Sequence, residues 1–379
     1  MPAADSIWTS FRKHMPIIEQ WAYFDHAAVA PLPEPSQQVI KEYADSYATL
    51  GTTNWPYWRK KIEMARNHAA TLINAEAKNI AIVHSTTEGI GLVAEGFDWR
   101  DGDNVVVPDS EFPSNLFPWM NLAGRGVETR RVHCPEGRID LDQLFGACDQ
   151  RTRLISLSWV GFTTGWRTDL AAVCEMAHVR GIRVFVDAIQ GMGVLPLDVQ
   201  AVPIDFLAAD GHKWMLGPEG AGVFYVRPDR LEELHPLGVG WNSIQDAGNF
   251  SNPEFRLKTN AGRYEGGTYN MVGTAGLAAS LELLANAGIH NVGERLYAVT
   301  EELCERLKSI NATIVSTRDE NHWSGIVTFD IPDESPLAIK KRCEERGVAV
   351  NSRGGHLRAS PHVYTNADDI DQLMDAISA

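Results

Sequence analysis

Two stretches decide how this chain folds: Ile182-Arg183-Val184-Phe185-Val186-Asp187-Ala188-Ile189-Gln190, and Phe206-Leu207-Ala208-Ala209-Asp210-Gly211-His212-Lys213-Trp214. Each opens as a short, largely apolar run and ends abruptly in polar residues. Runs without apolar–polar alternation are what strands look like when helices cover both faces of a sheet. Residues 80–83, 105–107, 154–157 and 223–226 read the same way. Val39, Ile40, Tyr43, Tyr47 and Leu50 recur at helical spacing, and so do Trp58, Ile62, Ala65, Ala69 and Leu72. Strand and helix patterns in alternation predict an α/β fold with a mainly parallel sheet.

Outward from this centre the pattern changes. Residues 237–267 are rich in Gly, Asn and Pro and lack periodicity, which predicts a long functional loop. Residues 272–287 read as a long helix rich in Ala and Leu. The remainder reads helix, strand, strand, helix, strand, strand, helix, as in a small α+β unit. The expected division is a large unit over 21–290 and a smaller one built from 1–20 and 291–379. A chain of 379 residues is long enough to give each a core.

Composition narrows the function. A formal charge of −15 without a basic stripe argues against gripping nucleic acid or anionic lipid. No apolar run approaches the ~20 residues that span a bilayer. The first twenty residues lack the apolar centre of a signal peptide, so a cytoplasmic protein is expected. Five scattered cysteines, with no C-x-x-C pair, argue against a disulfide framework or zinc site. No metal is expected.

Ligands of an open parallel sheet sit at the carboxyl ends of its strands. His84-Ser85-Thr86-Thr87-Glu88-Gly89 follows the first run and opens a helix. Its hydroxyls and free N–H groups suit either a phosphate or simple capping. Asp187 ends a strand, either to hold a protonated pyridine nitrogen or to cap a turn. Lys213 would face the crevice, where burial lowers its pKa as a Schiff-base lysine requires, although an isolated lysine is usually solvated. Arg353 and Arg358 flank a Gly-Gly turn and suit a substrate carboxylate, or ordinary surface charge.

The set, in this order, resembles the class V aminotransferase family of fold-type-I pyridoxal-phosphate (PLP) enzymes. That family includes cysteine desulfurases, selenocysteine lyases, kynureninases and isopenicillin N epimerases. The resemblance runs from Tyr23-Phe24-Asp25-His26-Ala27-Ala28 to the last helix. It is strongest in Asp187-Ala188-Ile189-Gln190, Asp210-Gly211-His212-Lys213 and Gly217-Pro218. It implies that Lys213 holds PLP as a Schiff base and that His212 binds near its phosphate. It further implies that Asp187 partners the ring nitrogen and Gln190 the ring hydroxyl. Thr86 and Thr87 would bind phosphate, and Phe112 would stack on the ring. Thr268 lies in a segment that reaches the partner subunit's phosphate, implying a homodimer. Arg358 and Arg353 would take the carboxylate of a small amino-acid substrate.

Two departures from the desulfurase pattern stand out. Those enzymes carry a catalytic cysteine on a loop between the two arginines, whereas the four residues between Arg353 and Arg358 include none. Cys343, the nearest thiol, falls in a predicted helix. Phe162 stands where many desulfurases have Asn. A PLP enzyme that abstracts a Cα proton, of lyase or aminotransferase type, is therefore expected, with an epimerase as the alternative. His84, His356 and Tyr264 are candidates for a second acid or base. Trp55-Pro56-Tyr57-Trp58 suits a pocket wall or packing. Among unrelated readings, a nicotinamide dehydrogenase would use Gly89-x-Gly91-x-x-Ala94 with Asp109. It leaves Asp187 and Lys213 without a role. A non-catalytic binding module would not need them either, and a hydrolase lacks its G-x-S-x-G elbow.

Overall fold

The computed structural model describes residues 4–379. Residues 1–3, the beginning of the 1–20 segment, lie outside the described residues. A short strand, β1 (Ala22–Tyr23), precedes the main sheet. That sheet holds β2 (Ile80–Val83), β3 (Asn104–Pro108), β4 (Glu128–Val132), β5 (Thr152–Ser158), β6 (Arg183–Asp187), β7 (Phe206–Asp210) and β8 (Gly222–Val226). Their order is β2-β8-β7-β6-β5-β3-β4. Only β8 runs against its neighbours, so the sheet is mainly parallel, as the apolar runs predict.

Successive side chains of a strand point to opposite faces. Here both faces are dry. Val184 and Val186 of β6 enter one core with Trp214 and Leu277, while Phe185 enters the other with Trp119 and Phe224. The sequence reading passes over β4. Its Glu128-Thr129-Arg130-Arg131-Val132 carries three charges because it is an edge strand, where charge deters pairing with another chain.

The C-terminal part has a four-stranded antiparallel sheet. Its strands are β9 (Thr313–Ile314), β10 (Val327–Asp330), β12 (Asn351–Arg353) and β13 (His356–Ala359), in the order β12-β13-β10-β9. Between them, β11 (Val348–Ala349) pairs in parallel with β1. Two residues are too few to carry a periodic signal, and β11 was not expected. Packing crosses the expected division at residue 20. Ala22 and Phe24 belong to the C-terminal core, whereas Phe11 and Met15 pack in the large one. No single helix among the described residues is long and apolar enough to cross a membrane.

The 237–267 segment contains one 3-10 turn, Ala261–Tyr264, and an isolated bridge between Ile244 and Leu257. A buried ion pair ties its end to the sheet. Arg66 donates to Glu265 at 2.6 and 3.1 Å, and Glu265 also accepts from the Ile82 N–H at 2.7 Å and the Tyr269 hydroxyl at 2.6 Å. Removing Glu265 leaves the buried Arg66 guanidinium with only the half-exposed Glu63, at 3.2 Å, as its counter-charge. Glu265→Ala is therefore expected to cost about 3–5 kcal/mol, read as a lower urea midpoint with an unchanged slope. An unshifted midpoint would show that the pair contributes nothing.

Candidate active site

The carboxyl ends of the parallel strands converge on a cavity of about 300 Å³. β5 delivers Ser158, β6 delivers Asp187, and the turn after β7 delivers His212 and Lys213. Ser85 to Thr87 follow β2, and Phe112 follows β3. All of these line the cavity, together with Gln190, Arg353 and Arg358.

At one end lies the N-terminus of the helix Thr86–Gly96. Ser85 caps it by accepting from the Glu88 N–H at 3.1 Å. The first N–H groups of a helix have no partner within it, so the cap leaves donors beside Thr86 and Thr87. Thr86 Oγ1 accepts from the Asp210 N–H at 2.9 Å, and the Thr87 hydroxyl donates to Ser114 at 2.9 Å. Capping thus falls to Ser85, and the hydroxyls of Thr86 and Thr87 are not used for it. Nearby, His212 Nδ1 lies 3.1 Å from Asp210 Oδ2, and Asp210 Oδ1 is buried without a hydrogen bond. Gly89 sits inside this helix because a Cβ there would lie 2.5 Å from the Ala208 Cβ, so its role is close packing on the sheet.

At the centre, Lys213 makes no hydrogen bond among the described residues, and its Nζ lies 5.8 Å from the Phe112 ring centroid. Burial pushes its ammonium down to about 8; Asp187 and Asp210 oppose the shift, while Arg358 and Arg353 add to it. Burial pushes the Asp187 carboxyl up to about 6, against a hydrogen bond from the Ile189 N–H at 3.0 Å and the charge of Lys213. Desolvation disfavours charge on both groups and outweighs their mutual attraction. Gln190 is held from both sides: its Nε2 donates to the Ala27 carbonyl at 3.0 Å, and its Oε1 accepts from Trp214 Nε1 at 2.8 Å.

Across the cavity, Arg358 is 1% exposed. The register of β13 with β10 and β12 sets it opposite Thr328 and Asn351. It donates to the Phe162 carbonyl at 2.7 Å and to Asp25 at 3.3 Å, while its Nε is buried without a partner. Asp25 is also held by Asn351 Nδ2 at 2.7 Å. Arg353, at the end of β12, is exposed on the rim and has no ion pair among the described residues. Phe112 and Phe162 meet edge to face at 5.3 Å.

One expected cofactor residue stays apart. Thr268 is exposed and lines a separate crevice with His84, Glu88 and Tyr264. The candidates for a second acid or base also lie outside the cavity. His84 pairs with Glu88, Tyr264 donates to the Leu231 carbonyl at 2.8 Å, and His356 pairs with Asp330. Trp58 is core, and Trp55 and Tyr57 are exposed without reaching the cavity. The sequence reading gave no place to Ser158, Glu111 or the Arg358–Asp25 contact. Glu111 follows a strand end, and that position was the available signal.

An unpaired lysine, two buried carboxyls, an orphaned polar atom beside a helix N-terminus and a buried arginine suit a ligand carrying a carbonyl, a basic ring nitrogen and a phosphate. The family model for aminotransferase class-V matches residues 22–373. The chain belongs to that family. It is an α/β enzyme of this PLP-dependent family. A probable cysteine desulfurase of Methanothermobacter thermautotrophicus is 32% identical over 97% of this chain and 96% of its own length. A cysteine desulfurase of Escherichia coli O8 is 31% identical over 94% and 92%. Among solved structures, a variant of C-DES with glycine covalently linked to its PLP cofactor superposes with a TM-score of 0.90 at 25% identity, covering 97% of this chain and 98% of that one. The cystine C-S lyase C-DES in complex with its product, cysteine persulfide, gives 0.89 at 25% identity, over 96% and 99%.

Proposed function

We propose that this enzyme is a PLP-dependent C–S lyase of small sulfur-containing amino acids, working without an enzyme thiol. The observation that carries this reading is that no cysteine lines the cavity. Cys134, Cys174, Cys304 and Cys343 are buried elsewhere, and Cys148 lies away from the cavity as well. Burial pushes the Cys134 and Cys343 thiols up to about 11, far from a reactive thiolate. The likeness to a cystine lyase supports the same reading.

Lys213 would hold PLP, with Thr86, Thr87 and His212 at the phosphate, Asp187 at the ring nitrogen, Gln190 near the ring hydroxyl and Phe112 against the ring face. Thr268 would serve the second subunit of a homodimer. When bound, PLP supplies an electron sink that lets the Cα–H bond break. Asp187 would keep the proton on the ring nitrogen. Arg358 would grip the α-carboxylate and so orient the substrate in the cavity. Lys213 would take the Cα proton. A neutral lysine is needed for that step, and its lowered pKa provides one near neutrality. Arg353 offers a second cation at the rim.

Products separate this reaction from its relatives. Cystine plus water would give pyruvate, ammonia and cysteine persulfide. A desulfurase forms alanine from cysteine, an aminotransferase needs a keto-acid acceptor, and an epimerase releases nothing. Pyruvate matched by persulfide is expected, and Cys134→Ser should keep turnover within about threefold, as should Cys343→Ala. Alanine as the product, or loss of turnover in a folded cysteine variant, would overturn the thiol-free reading.

A further inference from the structure

Glu111 is a buried carboxyl with no ion pair among the described residues. Its Oε1 accepts from the Ser158 N–H at 2.7 Å, and its Oε2 from Asn115 Nδ2 at 2.9 Å and from the Ser158 hydroxyl. Asn115 is fixed in turn by donations from Trp119 Nε1 at 3.1 Å and the Ser156 hydroxyl at 2.6 Å. So many donors on one carboxyl suit its ionised form. Ser158 is the register partner of Asp187 across β5 and β6 and lines the cofactor cavity. Because its hydroxyl gives its proton to Glu111, its oxygen is left to accept from whatever lies in the cavity.

We propose that Glu111 is a positioning residue of the cofactor site: acting through Ser158, it fixes a hydrogen-bond acceptor beside Asp187 and adds the negative charge that keeps the cofactor protonated there. The groups that face it fit this role. Asp187 on β6 repels it, and Cys134 after β4 presents a neutral thiol. Asp109 precedes it on its own loop. Lys213 is beyond Asp187, and His356, which shares a neighbouring cavity with Glu111, is occupied by Asp330. Glu111 is raised to about 7, with burial as the largest cause and Asp187 adding to it. Its charge is therefore sensitive to the hydrogen bonds it keeps. The proposal rests on the cofactor seat at Lys213 and Asp187.

The test is a pH titration of the visible absorbance of the PLP-loaded protein, together with its affinity for PLP. Removing a nearby negative charge lowers the pKa of a protonated group. E111Q is expected to move the absorbance midpoint down by about half a unit to one unit and to weaken PLP binding severalfold. E111D, which keeps the charge, should stay near the parent. S158A should shift the midpoint less, in the same direction. The double variant should move no further than E111Q, because the two residues act as one unit. A merely structural role would lower the melting temperature of E111Q and leave the midpoint where it was. A midpoint within about 0.1 unit of the parent, with unchanged PLP affinity, would overturn the proposal. Should E111Q fail to fold, S158A decides on the same readout, and an unmoved midpoint overturns it. A parent protein that forms no reducible band would overturn the seat itself, and that failure appears before any substitution is made.

Discussion

Lys213→Ala is expected to abolish the absorbance near about 420 nm that borohydride removes, and to cut turnover by about ten-thousandfold or more. Two separate losses add up. In the proposed mechanism this cavity lysine would serve both as the covalent anchor of PLP and as the base for the Cα proton. Its Nζ makes no hydrogen bond among the described residues and lies 5.8 Å from the centroid of the Phe112 ring. The melting temperature should therefore hardly move, which separates lost chemistry from lost structure. In the parent, reduction should fix the mass of PLP on the peptide containing Lys213. Near-normal turnover by the alanine variant would sink the assignment. The pH profile follows from the same geometry. An ammonium pushed down to about 8 leaves a growing share of free amine as pH rises through that value, so formation of the cofactor bond should accelerate over the same range.

Arg358→Ala should lower kcat/KM by about a hundredfold to a thousandfold while PLP stays bound. The guanidinium already spends one donor on the Phe162 carbonyl and one on Asp25. Its buried Nε has no partner, and that donor is left for a carboxylate. The 3.3 Å contact with Asp25 is long for a charge-assisted bond, so a substrate can compete for that side. Truncation has a second cost. Asp25 is already raised by burial and would lose the cation that opposes the shift. A stability loss of about 1–3 kcal/mol should accompany the kinetic effect. Arg358→Lys should recover stability better than activity, because an ammonium supplies charge without the fork. Loss of the cofactor band in the alanine variant would instead place Arg358 at PLP.

Much of the arrangement was legible in the linear chain. The six apolar runs are all strands of the main sheet, because strands buried on both faces must be apolar throughout. The residues that follow five of those runs line the cavity, since those parallel strands point their carboxyl ends the same way; the sixth run, β8, is antiparallel and ends on the other side. The charged edge strand β4 was not legible, nor was β11, which exists only through its pairing with β1.

By itself the sequence determined which chemistry the chain can bring together: a lysine, a carboxylate and a hydroxyl-bearing turn, each tied by local periodicity to a strand end. Only the tertiary structure decided which of the remaining polar residues share their cavity. Asp25 and Glu111 lie far apart along the chain and reach the site through Arg358 and Ser158, brought there by sheet register and long-range packing. His84, Tyr264 and His356 look equally suited in the sequence, yet each is held elsewhere by a local partner. Local spacing is written in the order of residues. Burial, and with it the pKa of Lys213, Asp187 and Glu111, depends on what distant segments place around a group.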